Sequence, residues 1–369
     1  MHINRLIPTL AVIAATTVAA GFGVSASSSA AGHLTGAGSS LVAPLVLNVF
    51  GPDFQSSSGT SVTYGAVGSG AGIAAISGKS VDFGASDAPL TSTQATGCTG
   101  CIEIPWALAG TGLSYNLTGI GHVNLSGPVI ANIFLGAITM WNDPRIAKLN
   151  KGETLPAEKI TPVYRSDGSG DTYAFTSYLS KVSPTWASKV GFGTSVSFPV
   201  GTGGKGNSGV AALVAATPGA IGNNSWFYIR QAKLQAVAVQ NSAGNFVLPY
   251  NPYVADAAAA VVKTVPNLST LSSSTADAVA SALSIVNPPY SKPKKGKKPT
   301  LLQKLEAAAY PMGTFTYVIV RPDNANVALL KQFIAFALTK AEQSKGASLQ
   351  FAPLPKVVAA AATKAVNAL

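Results

Sequence analysis

A strand that runs through a short glycine- and serine-rich turn straight into a helix is the feature that most constrains this chain. Residues 160–164 read as the strand and the apolar run Tyr173 to Val182 as the body of the helix, with Arg165-Ser166-Asp167-Gly168-Ser169-Gly170-Asp171-Thr172 between them. Such a unit belongs to an α/β architecture, in which the turns at strand ends carry ligands. If Ser169 caps the helix, the amides of Gly170 and Asp171 point outward at its positive end, where a small anion is held. Arg165 adds a forked, permanently charged donor set that suits phosphate or sulfate. The carboxylates of Asp167 and Asp171 do not suit an anion unless it carries protons. An ionised carboxylate only accepts hydrogen bonds, so it pairs with a P–OH group and repels an unprotonated sulfate.

Two other segments repeat the pattern. Thr35-Gly36-Ala37-Gly38-Ser39-Ser40-Leu41 and Gly68-Ser69-Gly70-Ala71-Gly72 each read as a glycine-rich turn with a serine at a helix start, and Asp87 stands where a strand pattern within residues 81–89 gives way to a turn before Pro89, a place that also suits a turn-forming aspartate with no ligand. Each serine alone is an ordinary helix cap; three in one chain, one beside an arginine and an aspartate, point to an anion site. Further strands are expected over residues 61–64, 112–116, 236–239 and 314–321. Helices are expected over residues 126–135, 143–149, 169–182, 324–340 and 356–368. Gly204-Lys205-Gly206 lacks the hydroxyl residue after lysine that a nucleotide-hydrolysing phosphate loop uses to hold magnesium.

The segments Leu34-Thr-Gly-Ala-Gly-Ser-Ser, Asp82-Phe-Gly-Ala-Ser-Asp-Ala-Pro-Leu, Arg165-Ser-Asp-Gly-Ser-Gly, Gly203-Gly-Lys-Gly-Asn-Ser-Gly and Pro218-Gly-Ala-Ile-Gly occur in this order. Together they resemble the phosphate-binding proteins (PstS) that serve phosphate ABC transporters. The resemblance spans most of residues 33–230, is weaker over 310–320, and leaves 240–310 nearly unread. It implies a two-lobed type II periplasmic-binding-protein fold with two hinge crossings, near residues 113–116 and 314–320. One lobe would hold residues 33–114 and 314–369, the other residues 115–313. It also implies that Ser39, Ser40, the Leu41 amide, Ser69, Asp87, Arg165, Ser169, Gly170 and Asp171 contact inorganic phosphate, while Asp167 braces the arginine. Ser40-Leu41 and Asp171 depart from one branch of the family, which has Thr-Phe and a threonine there. Asp171 then adds a second acceptor for ligand protons beside Asp87.

The low charge, 11% of 369 residues, suits an exported protein. Arg5, the apolar run Leu6 to Val24 and the small residues 25–31 read as a cleaved signal peptide at residues 1–31; a membrane anchor is the alternative. The expected location is the periplasm or the extracellular cell envelope, without a lipid on an N-terminal cysteine. The two cysteines, Cys98 and Cys101, read as a redox pair, half a zinc site or a local disulfide, the last being favoured in an oxidising compartment. No metal and no cofactor are expected.

The formal charge of +11 becomes +10 once residues 1–31 are removed. Five of the cations, Lys292, Lys294, Lys295, Lys297 and Lys298, fall in a proline-flanked stretch at residues 288–299 that reads as a solvated loop. Its functional alternative is retention at an anionic cell-envelope polymer or lipid. Nucleic acid is disfavoured, since only Tyr290 accompanies the run. The leading reading is a monomeric binding protein that delivers phosphate to permease subunits. A secreted phosphatase of related fold and a wall-associated adhesion protein compete with it, the former without a histidine-rich metal cluster or a convincing nucleophile and base.

Overall fold

The strands follow in chain order as β1 (His33–Gly38), β2 (Ser61–Gly65), β3 (Phe83–Ser86), β4 (Ile102–Tyr115), β5 (Val123–Leu125) and β6 (Thr161–Arg165). After them come β7 (Thr202–Gly204), β8 (Ala220–Ser225), β9 (Gln235–Gln240), β10 (Phe246–Val247), β11 (Gly313–Val320) and β12 (Phe351–Ala352), with helices in between. This computed structural model describes residues 32–270 and 272–369. The signal peptide expected at residues 1–31 lies outside the described residues.

The main path of the sheet is β2-β1-β3-β11-β4-β8-β6-β7. β1 pairs parallel with β2 and β3, and β6 pairs parallel with β7 and β8. β11 and β4 join these two parallel sets by antiparallel pairing. β4 is buried over all 14 residues. Its residues 102–110 pair with β11, and from Thr111 onward its partner is β8. At this exchange the Thr111 N–H donates to the Met312 carbonyl at 3.0 Å. The strand expected over residues 112–116 is therefore only the end of a longer one. Glu103 and Pro105 break the apolar pattern of its first half. Pro105 sits where the register against β11 shifts between Thr316 and Tyr317, an irregularity that tolerates a residue without an N–H.

Aromatic rings anchor both parallel sets. Trp106 of β4 lies 5.6 Å from Phe50, 6.1 Å from Phe83 and 6.2 Å from Phe333. Tyr164 of β6 stacks on Phe198 at 4.4 Å, and Phe134 meets Phe175 edge-on at 4.8 Å. Rigid clusters of this kind hold the strand ends still, which a site built on the following turns requires.

Most expected helices form close to their expected limits, as Gly127–Phe134, Pro144–Ala147, Gly170–Val182 and Lys356–Asn367. The one expected over residues 324–340 forms as Val327–Ala337 and is followed by a separate helix, Lys340–Lys345. Thr339 starts that second helix by accepting the Glu342 N–H at 3.4 Å. Residues 240–310 hold the helices Asn251–Val261, Ser273–Ala282 and Leu301–Ala308. Cys98 and Cys101 form a disulfide, buried against Ile73, Ile76, Leu90 and Ile319.

Candidate functional site

The carboxyl ends of β1, β2, β3, β6 and β7 deliver polar residues to one connected hydrogen-bond network, at the strand ends where an α/β sheet places its ligand loops. β1 leads to Ser39, Ser40 and Leu41, β2 to Ser69, and β3 to Asp87. β6 ends on Arg165 and is followed by Asp167 and Ser169 to Asp171, and β7 leads to Asn207. All ten residues singled out in the sequence for the anion site thus come together.

Ser169 caps the Gly170–Val182 helix as expected, accepting the N–H groups of Asp171 at 3.1 Å and Thr172 at 3.4 Å. The amides of Gly170 and Asp171, expected to point outward unpaired, are both engaged. The Asp171 N–H serves the cap, and the Gly170 N–H donates to Ser69 Oγ at 3.2 Å. The reason is that the turn after β2 presses directly on the turn after β6, where the Gly70 N–H donates to the Gly168 carbonyl at 3.0 Å. Glycine is required for this approach. A Cβ on Gly170 would stand 2.3 Å from the Asp87 Cβ, and one on Gly68, whose φ is +96°, would stand 2.3 Å from Asp167 Oδ2.

Arg165, with its side chain 1% exposed, holds Asp167 in a fork. Nε donates to Oδ1 at 2.8 Å and Nη2 to Oδ2 at 2.5 Å. Its remaining nitrogen, Nη1, donates to Asp171 Oδ2 at 3.0 Å. Asp171 also accepts from Thr111 Oγ1 at 2.7 Å and from Asn207 Nδ2 at 2.7 Å. Asp87 is different. Its Oδ2 accepts from Ser39 Oγ at 2.5 Å, while its buried Oδ1 has no partner in the protein. Ser39 Oγ in turn accepts the N–H groups of Leu41 at 3.0 Å and Val42 at 3.2 Å. Ser40 Oγ accepts from the Asn207 N–H at 3.2 Å and from its Nδ2 at 3.0 Å. Ser69 Oγ accepts the Asp87 N–H at 3.3 Å as well as that of Gly170.

One cation therefore faces three carboxyls. Burial opposes ionisation of Asp167, but the Arg165 hydrogen bonds and charge, helped by the Gly206 N–H at 2.9 Å, outweigh it and hold the carboxyl below its ordinary range. Burial, followed by the negative charge of Asp171, pushes Asp87 well above its ordinary range. Asp171 is raised by burial too, against the pull of Arg165, Thr111 and Asn207. Arg165 is spent on Asp167 and Asp171, so Asp87 has no cation of its own. Once Asp87 ionises, an ion entering here must bring a proton or meet an uncompensated carboxylate.

Three residues of this network escaped the sequence reading. Thr111 and Asn207 hold Asp171, and the Tyr64 hydroxyl donates to the Ser39 carbonyl at 2.8 Å. Asn207 alone carried a signal, as the polar residue at a helix start inside a glycine-rich turn. Lys205, two residues before it, is exposed. A wider groove of about 910 Å³ runs past Pro89, Tyr173, Lys181, Phe192 and Pro288. The only described ions among these are Lys181 and, further along, Asp277, so the anion chemistry stays with the carboxyl cluster.

A family model described as a PBP superfamily domain matches residues 23–341. The chain is 45% identical over 218 residues to a protein named phosphate-binding protein PstS from Xylella fastidiosa, an alignment covering 58% of this chain and 59% of that one. It thus spans less than two thirds of the length of that relative. A phosphate-binding protein PstS from Methanocaldococcus jannaschii is 33% identical over 332 residues, covering 83% of this chain and 78% of the other. Among solved structures, a high-affinity periplasmic phosphate-binding protein bound with phosphate superposes with a TM-score of 0.65 at 22% identity, covering 89% and 92% of the two chains. That likeness gives the fold, a two-lobed type II periplasmic-binding-protein architecture, as expected from the sequence.

Proposed function

The chain belongs to the PstS family of phosphate-binding proteins, and on that premise we propose that it captures inorganic phosphate between its two lobes and delivers it to the permease subunits of an ABC-type phosphate transporter. The observation that carries this reading is the unpartnered, buried Oδ1 of Asp87 in a cluster whose single arginine is already committed. Phosphate at neutral pH keeps at least one P–OH, which donates to that oxygen. Sulfate has none and is refused.

In this reading residues 33–114 and 314–369 form one lobe and residues 115–313 the other. Ser39, Ser40, the Leu41 amide, Ser69 and Asp87 then meet phosphate from the first lobe. Arg165, Ser169, Gly170 and Asp171 meet it from the second, with Asp167 fixing the guanidinium plane. Donors and acceptors now spent on one another, such as Ser40 with Asn207 and Gly170 with Ser69, turn to the ion as it enters. The exchange is favourable because a hydrogen bond to a charged acceptor is worth roughly twice a neutral one. A ligand that touches both lobes favours their closed arrangement, and one that touches a single lobe does not.

The receptor acts as a monomer outside the cytoplasm, in the periplasm or cell envelope. None of the described helices is long and apolar enough to cross a membrane, and no described cysteine is free to take a lipid. Calorimetric titration of residues 32–369 tests the reading: phosphate should bind at one site per chain, without release of phosphate from a phosphomonoester. Absence of phosphate binding removes the proposal, and steady hydrolysis of the ester replaces it with a phosphatase.

A further inference from the structure

Residues 288–302 form a second charged surface with an unusual neighbour. Lys292, Lys294, Lys295, Lys297 and Lys298 are all exposed, and none of them takes part in an ion pair among the described residues. In this stretch the chain turns, the Lys297 N–H donating to the Lys294 carbonyl at 2.9 Å with Gly296 at φ +78°. Between Asp277 and Asp323 the only acidic residue is Glu306. It is buried, and its Oε2 accepts the Ser291 N–H at 2.9 Å.

The lysine stretch runs directly into the Leu301–Ala308 helix. Thr300 caps that helix in a reciprocal box with Gln303, its hydroxyl accepting the Gln303 N–H at 3.2 Å while Gln303 Oε1 accepts the Thr300 N–H at 2.9 Å. The cap fixes Leu301 and Leu302 as the first helical residues, and they are 74% and 40% exposed. This helix thus turns its carboxylate inward and two leucines outward, the reverse of what solvent alone selects.

We infer that residues 292–302 dock the protein on a membrane surface rich in anionic lipid, with the five lysines on the headgroup phosphates and Leu301 and Leu302 entering the acyl boundary. Unpaired ammonium groups are drawn to any polyanion, but a soluble anionic polymer offers nothing to a pair of exposed leucines. A lipid surface accepts both, and two weak signals together give the retention that neither gives alone. The docked protein stays beside the membrane without a covalent lipid.

The test is co-sedimentation of residues 32–369 with vesicles of phosphatidylglycerol and phosphatidylcholine in roughly equal parts, against phosphatidylcholine alone, at about 0.1 M salt. The chain should pellet with the anionic vesicles only. Replacing the five lysines by glutamine should weaken pelleting by at least about tenfold, and L301S/L302S by about tenfold. Both variants should bind phosphate as the parent chain does, which checks that they are folded. Binding to soluble polyphosphate should fall in the lysine variant and persist in the leucine variant. L301W should shift its added fluorescence to shorter wavelength on anionic vesicles. No preference for anionic vesicles, pelleting of L301S/L302S equal to the parent, or an unshifted L301W spectrum would each overturn the proposal and leave ionic attraction to polyanions alone.

Discussion

Arg165 and the lysines of residues 292–298 set cationic charge in opposite surroundings. Arg165 is buried, donates to two carboxylates, and lies among residues drawn from five strand ends. The lysines are exposed, unpaired among the described residues, and follow one another along a single stretch. A buried charge is committed to fixed partners, so its value lies in what it refuses. Exposed charges refuse little, and they act on any anionic surface within about 10 Å of screened reach. Buried, paired charge and exposed, unpaired charge thus sit in one chain without sharing a residue.

The largest separation between the two regions should come from Arg165→Ala. It leaves the half-buried Asp167 and the buried Asp171 without their cation, and breaking a buried pair costs on the order of 3–5 kcal/mol. Phosphate affinity measured by calorimetry should fall roughly 100-fold to several-thousand-fold, with a lower Tm. A loss below tenfold would place Arg165 outside the site. Gly170→Ala should come next. Its Cβ collides with Asp87, so the turns after β3 and β6 must part, and affinity should drop by about tenfold, one pairing's worth of free energy. Small-angle scattering with saturating phosphate should then show a wider particle than the parent; an unchanged profile would mean that the contact can give way locally.

A third test separates buried carboxyls that serve the ligand from one that does not. Glu103 is pushed up to about 8 by burial, against the pull of the Leu90 N–H, and its Oε2 has no partner. Its folded form holds the proton that the unfolded chain releases near pH 4.5. Its contribution is therefore complete below that pH and is lost as the pH rises through about 8. Glu103→Gln should flatten part of the fall in Tm between about pH 5 and 8 without altering phosphate affinity. A Tm profile parallel to the parent's would show that Glu103 is ionised throughout. The smallest effect belongs to the exposed region. Glutamine in place of all five lysines should leave phosphate affinity within about twofold at 0.15 M salt, since salt screens fully exposed charges. A larger loss would show that the loop steers the ion into the cleft.

What was legible in the sequence was local. The pairing of Arg165 with Asp167 spans two residues, and the Ser169 cap spans three, so one short segment displays both. The bond between Ser39 and Asp87 joins residues 48 apart, and that between Thr111 and Asp171 joins residues 60 apart. No pattern along the chain announces them. The first half of β4 was hidden by Glu103 and Pro105, each of which breaks an apolar run for a reason visible only in three dimensions. Glu103 meets the Leu90 N–H at 2.9 Å, and Pro105 sits at a register shift. Residues 240–310 gave little because alanine, serine and proline dominate them, and their helices are held by contact with the rest of the protein more than by their own periodicity.

The central claim is that a buried acceptor at Asp87 selects an anion that carries a proton. Calorimetric titration of the parent chain and Asp87→Asn with phosphate and with sulfate tests it most directly. The amide keeps the shape and adds a donor. The account predicts that the parent prefers phosphate by about 10⁴-fold or more and that Asp87→Asn narrows this ratio chiefly by gaining sulfate affinity. Sulfate binding to the parent within tenfold of phosphate, or an unchanged ratio in Asp87→Asn, would contradict it.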